Sequence, residues 1–223
     1  MAATIQDVVK ANFVLVGCHL LGDAEELRRF REQIDTDVVM AGGGLITDVV
    51  SGVTEPAQTV SLNRDRITLE LASSRSTIGR DYPSRSDLPR LAEIVGRAIE
   101  CTDLSAQSPT AFGYNIDLVY DQTSESSASS YLGKRLFNPA LSTNTGWQLV
   151  GGAGRMVFET GGTSWRVAVE PRFNDESSSR VFFSLNLHKG ENRRPNEDEI
   201  RLSLEDAWDQ AHVFVKRLDE CEP

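Results

Sequence analysis

Four stretches of this chain alternate apolar and polar residues with a period of two, and that pattern restricts the fold more than any other feature. In residues 66–71, Ile67, Leu69 and Leu71 alternate with Arg66, Thr68 and Glu70. In residues 113–120, Tyr114, Ile116, Leu118 and Tyr120 alternate with Asn115, Asp117 and Val119. Residues 181–188 set Val181, Phe183, Leu185 and Leu187 against Phe182, Ser184, Asn186 and His188. The fourth stretch runs 155–160, then Gly161-Gly162, then 163–170, the pattern of a hairpin closed by a tight primed turn. Counting outward from that turn pairs Phe158 with Trp165 and Met156 with Val167, as core residues. Successive strand side chains point to opposite faces, so each of these segments has one apolar face that needs cover.

Three helical patterns can supply the cover. Leu27, Phe30 and Ile34 recur at helical spacing over residues 24–34, with Asp23 as N-cap. Leu91, Val95, Ala98 and Ile99 form a stripe over 88–100, capped by Asp87 or Ser86, with Pro89 in the first turn. The longest pattern, 195–218, opens on Glu197, Asp198 and Glu199 and closes on Lys216 and Arg217, as the helix dipole favours. Its stripe is Ile200, Leu204, Trp208, Ala211, Val215 and Leu218. Strand runs closed by helices predict an α+β fold, mainly antiparallel, with helices on one sheet face and a loose echo of two β-β-α units. The Ser-rich stretch 122–130 reads as a linker. It divides an N-terminal α+β unit, 1–122, from a C-terminal sheet with the long helix, 123–223, unless one domain runs across it.

The other segments give weaker signals. Residues 13–18 and 59–62 read as strands, the latter turning at Asn63-Arg64-Asp65 into 66–71. Residues 38–53 read as a strand, a glycine turn at Gly42-Gly43-Gly44 and a short second element. Residues 73–86 read as a Ser/Arg-rich loop and 131–137 as a short helix.

A chain of 223 residues can bury a core without staples. The three cysteines, Cys18, Cys101 and Cys221, are widely spaced and odd in number, which argues for a reducing, cytoplasmic setting. No signal-peptide pattern and no run of membrane-spanning length is visible. A net charge of -10 disfavours nucleic acid, because phosphate binding rests on cations; a local patch of Arg75, Arg80 and Arg85 is the exception to examine.

Catalytic patterns are weak. Cys18 and His19 are strand neighbours whose side chains point apart, so they do not form a thiol-imidazole pair. His19, His188 and His212 share no ligand spacing, and no metal or cofactor is expected. The Gly42-Gly43-Gly44 run lacks the third glycine of a dinucleotide turn and no Gly-Lys-Ser/Thr follows it. Neither a Gly-x-Ser-x-Gly elbow nor a His-Glu-x-x-His pair is present.

Three functional readings follow. The first is a non-catalytic protein-binding or assembly subunit, which self-associates or binds a partner chain near residues 59–120, where strands 59–62 and 113–120 carry no proline or lysine and Tyr114 and Tyr120 form an apolar row. The second is a small-ligand protein with a pocket between sheet and C-terminal helix, lined by Phe158, Trp165, Phe183 and Trp208. The polar row Asp117, Asn186 and His188 is a further ligand candidate. The third is an enzyme acting through Asp117, His188 or Cys18.

Overall fold

A computed structural model of the chain describes residues 4–35, 38–47, 54–104, 109–137, 153–160, 163–172, 179–191 and 193–220. Among these the strands are β1 (Thr4–Val16), β2 (Val38–Thr47), β3 (Thr54–Leu62), β4 (Ile67–Ala72), β5 (Arg75–Asp81), β6 (Ala111–Asp121), β7 (Gly154–Thr160), β8 (Thr163–Pro171) and β9 (Arg180–Lys189). The helices are α1 (Ala24–Gln33), α2 (Leu88–Cys101), α3 (Ala128–Leu136) and α4 (Glu197–Glu220). The fold is α+β, with hydrogen-bonded strand order β2-β3-β4-β5-β1-β6-β9-β8-β7.

The chain forms two compact units that are interleaved in sequence. The larger holds residues 10–115 and 188–205; the smaller holds 1–9, 116–187 and 206–223. The chain therefore crosses between units at four points, where the Ser-rich stretch 122–130 had suggested one. That stretch is built into the smaller unit. Gln122 is buried, its side-chain amide donates to the Glu125 carbonyl at 3.0 Å, and Ser127 caps α3 by accepting from the Ser130 N–H.

In the larger unit the antiparallel registers align Phe13 with Ile78, Ile78 with Leu69 and Leu69 with Val60, a row in which every member is fully buried. The α2 stripe Leu91, Val95, Ala98 and Ile99 is buried as its spacing predicts. Asp23 caps α1, its Oδ1 accepting from the N–H groups of Glu25 at 2.9 Å and Glu26 at 2.8 Å.

Two expectations fail here. Residues 73–86 contain β5, in which the buried Ser76 hydroxyl is satisfied internally: its Oγ accepts from Leu20 N–H at 3.0 Å and donates to the Cys18 carbonyl at 3.2 Å. The glycine run is no turn either. β2 passes through it with a bulge between Met40 and Gly43, and Gly42 takes the left-handed φ of 87° that the bulge requires.

In the smaller unit the β7–β8 register pairs Phe158 with Trp165 and Met156 with Val167, as counted from the turn; Gly161 and Gly162 lie outside the described residues. The core expectation for that pair is only partly met. Phe158 is 45% exposed and Trp165 and Met156 are half-buried, because β7 is the last strand in the hydrogen-bonded order. The β9 row Val181, Phe183 and Leu185 is buried, and so is the α4 stripe from Trp208 through Leu218.

The edges also differ from expectation. β3 lies between β2 and β4, and β6 lies between β1 and β9, so neither carries an open ladder. Tyr114 and Tyr120 are fully buried within the chain, which removes them as contact residues for a partner.

Candidate functional site

Helix α4 carries two adjacent stripes. The first, including Trp208, Ala211 and Val215, is core. The second contains Asp206, Gln210, Val213, Phe214 and Arg217, spaced so that its members stack along one side of the helix. In the smaller unit this second stripe forms one wall of a cleft of about 490 Å³. Phe158 of β7, Trp165 and Val167 of β8 and Leu185 of β9 form the floor and the opposite wall.

The strand period explains the floor. Val167 and Leu185 lie on the inward rows of their strands and are almost fully buried, while Trp165 nearer the strand end is half-buried. Phe214 joins floor to wall through two ring contacts, 5.8 Å to Phe158 and 5.3 Å to Phe183. The mouth is apolar as well, since Phe158 is 45% and Val213 50% exposed. The charged and amide side chains among the lining residues, Asp206, Gln210 and Arg217, all stand on the helix. Gln210 Nε2 donates to Asp206 Oδ1 at 3.4 Å, and the Arg217 guanidinium lies 3.8 Å from Glu220.

Of the four pocket residues expected from sequence, Phe158 and Trp165 line the cleft. Phe183 is fully buried behind it, in contact with Phe214. Trp208 is buried and stacks on His212 with ring centres 5.2 Å apart, so it lies in the core.

The polar row divides between the units. Asp117 and Asn186 belong to the smaller one and His188 to the larger. Asp117 Oδ1 already accepts the Ser184 hydroxyl at 2.6 Å. The buried tyrosines are held in their neutral form: burial raises the phenol of Tyr114 and, further, that of Tyr120, and pushes Tyr131 up to about 12. Cys18 and Cys101 are buried free thiols whose pKa values burial raises, the opposite of an activated nucleophile. Cys221 lies outside the described residues.

The arginines near the sequence patch are engaged within the chain. Arg80 pairs with Asp87 at 3.0 Å, Arg90 with Asp65 at 3.1 Å and Glu93 at 2.8 Å, and Arg97 with Glu100 at 2.9 Å. In the larger unit, Arg193 grips Glu199 through two bonds of 2.6 and 2.8 Å, and Lys189 reaches the same carboxylate at 3.4 Å. The Arg193 hydrogen bonds hold the Glu199 carboxyl below its usual range. No group of three or more His, Cys, Asp or Glu side chains among the described residues could hold a metal ion. No helix among them is long and apolar enough to cross a membrane. No protein-family model matches this chain, and the search of curated proteins returns no significant match.

Proposed function

We propose that this chain acts by binding, and that its site is the cleft between hairpin β7–β8, strand β9 and helix α4, which holds an apolar small molecule. One observation carries the reading: a space of about 490 Å³ has an aromatic and aliphatic floor and leaves Phe158 and Val213 exposed at its mouth. Ligand pockets fall at roughly 300–1,000 Å³ and combine such a lining with a few polar groups that orient the ligand. Gln210 and Arg217 are the polar groups here, and Arg217 suits an anionic end. The row Asp117, Asn186 and His188 is the weaker ligand candidate, because the Asp117 carboxylate already accepts the Ser184 hydroxyl.

The test is titration of the purified protein with 1-anilinonaphthalene-8-sulfonate and with dodecanoate, read on probe fluorescence and on tryptophan emission, to which Trp165 in the cleft contributes. Saturable binding at one site is expected. Val213→Glu, at a position 50% exposed, should weaken it by ~10-fold or more without moving Tm, since an exposed site tolerates the charge while an apolar mouth that admits an anionic probe does not. Linear, unsaturable uptake, or binding indifferent to Val213→Glu, overturns the reading.

A second reading, an assembly subunit of a cytoplasmic complex, is supported by a different observation. Of the two strands that end the hydrogen-bonded order, β2 carries no charged residue and no proline, the usual protections of an edge. The free thiols Cys18 and Cys101 fit a reducing compartment.

A further inference from the structure

We infer that the polar sheet face of the larger unit carries a second binding site, a pit that takes a small zwitterion, an α-amino acid of the size of glycine or alanine. The pit has a volume of about 120 Å³ and is lined by Lys10 of β1, Thr68 and Glu70 of β4, and Thr77, Gly79 and Asp81 of β5. All six belong to residues 10–115 of the larger unit, so its occupancy does not depend on the cleft. Register places them on one face in three successive rows: Lys10 opposite Asp81, Gly79 opposite Thr68, and Thr77 opposite Glu70. This is the face opposite the buried row Phe13, Ile78 and Leu69.

Two observations distinguish the pit from a sheet surface that simply faces water. Thr77 is only 7% exposed, yet among the described residues its hydroxyl has no hydrogen-bond partner. Buried hydroxyls are normally bonded, and one left unbonded in the wall of a cavity marks a place for a partner from outside the chain. The middle row receives no side chain from β5, because Gly79 has none, and a glycine inside a strand is where a ligand can approach backbone closely. Lys10 leans over this floor, its Cε 3.3 Å from the point that a Gly79 Cβ would occupy.

The charges select the ligand. Lys10, Glu70 and Asp81 all line the pit, and among the described residues none of them makes an ion pair or a side-chain hydrogen bond. The Lys10 ammonium over the floor opposes a bare cation, and the two carboxylates oppose a simple anion. A molecule bearing both signs meets both demands: its carboxylate accepts from Lys10, and its ammonium donates to the Glu70 carboxylate and the Thr77 hydroxyl. Glu70 stands one row beyond Gly79, a step of roughly 7 Å, which one α-amino acid bridges with a hydrogen bond at each end. Size agrees, since at ~30 Å³ per water the pit has room for about four waters, and hence for a zwitterion with little side chain.

Amide shifts of Thr68, Thr77 and Gly79 in the isotope-labelled full chain test it, with glycine and L-alanine as ligands and acetate, methylammonium and glycerol as controls. Saturable shifts with both amino acids are expected, with affinity ~10-fold or more above that for acetate or methylammonium, each of which meets only one of the charges. Lys10→Met and Glu70→Gln should each weaken glycine binding by ~10-fold or more. Thr77→Val keeps the shape and removes the hydroxyl, so it should weaken binding while Tm stays equal or rises, because the empty pit offers that hydroxyl no bond to lose. Shifts that do not saturate with either amino acid overturn the inference. So do glycerol or methylammonium binding as tightly as glycine, binding indifferent to Lys10→Met and Glu70→Gln, and a Tm lowered by Thr77→Val.

Discussion

Gly79 sits in the middle of β5, opposite Asn12 of β1, and gives a quantitative test of the sheet register. A Cβ at Gly79 would lie 2.9 Å from Asn12 Cβ, 3.3 Å from Lys10 Cε and 3.4 Å from the Ala11 carbonyl oxygen. Lys10 Cε is near the end of a flexible chain and can move. Asn12 Cβ is fixed to a paired backbone and cannot, so Gly79→Ala forces the strands apart. Overpacking of this kind costs ~1–3 kcal/mol, offset by ~0.4–1 kcal/mol from the stiffer unfolded chain. The net expectation is a loss of about 1–2 kcal/mol, which lowers Tm by roughly 2–8 °C in a chain of this size. Urea unfolding read by circular dichroism measures it, with Gly190→Ala as control, because a Cβ there meets nothing within 4 Å. Adding Asn12→Gly removes the obstructing atom, although it also gives up the 2.5 Å bond from Asn115 Nδ2 to Asn12 Oδ1. The double-mutant cycle should therefore show coupling of ~1 kcal/mol or more. If Gly79→Ala is as stable as Gly190→Ala, or the cycle shows no coupling, the β1–β5 register is wrong.

The ion pair of Glu199 predicts an acid-side effect. Its folded pKa is lowered, so its stabilisation is present above the unfolded value near ~4.3 and is lost as pH falls through the folded pKa. Glu199→Gln should cost about 1 kcal/mol at neutral pH, and the difference from wild type should vanish in acid; a gap independent of pH refutes it. Cys18 and Cys101 should resist a disulfide reagent such as 5,5′-dithiobis(2-nitrobenzoate) in native Cys221→Ser protein and react on unfolding. Labelling at the rate of a free thiol would contradict their burial.

The fold was most legible where one face of a strand is apolar and the other polar. β4, β6, β9 and the β7–β8 register all followed from period-two alternation, and α2 and α4 from their stripes. The pattern was silent for β5, because Arg75-Ser76-Thr77 opens it with residues that usually mark loops. Ser76 is fully buried all the same, since Leu20 N–H and the Cys18 carbonyl satisfy its hydroxyl, a long-range pairing that local composition cannot show. β2 misled for a different reason. Three consecutive glycines commonly break a strand, but a single bulged residue takes up the irregularity and lets the ladder resume. With β2 read as broken at its glycines, its full-length pairing with β3 is missed, and the expected interface falls on strands that are interior.

The cleft shows the same limit on a helix. The sequence placed Trp208 on its wall because the apolar stripe of α4 is the stripe that a hydrophobicity pattern reveals. At 3.6 residues per turn each residue advances about 100°, so Phe214, six positions on, lies about 120° around the helix from Trp208. One helix cannot turn both rings to the same neighbour. The stripe of highest apolar content goes to the core, where Trp208 packs. The adjacent stripe, where Val213 and Phe214 alternate with Asp206, Gln210 and Arg217, scores as neither apolar nor polar and faces the hairpin across open space. Such mixed composition suits a wall that touches an apolar ligand at its base and water at its rim. The lining of a cleft beside a covering helix is thus better sought one stripe away from the maximum of hydrophobicity than on it. Here that rule selects Phe214 over Trp208.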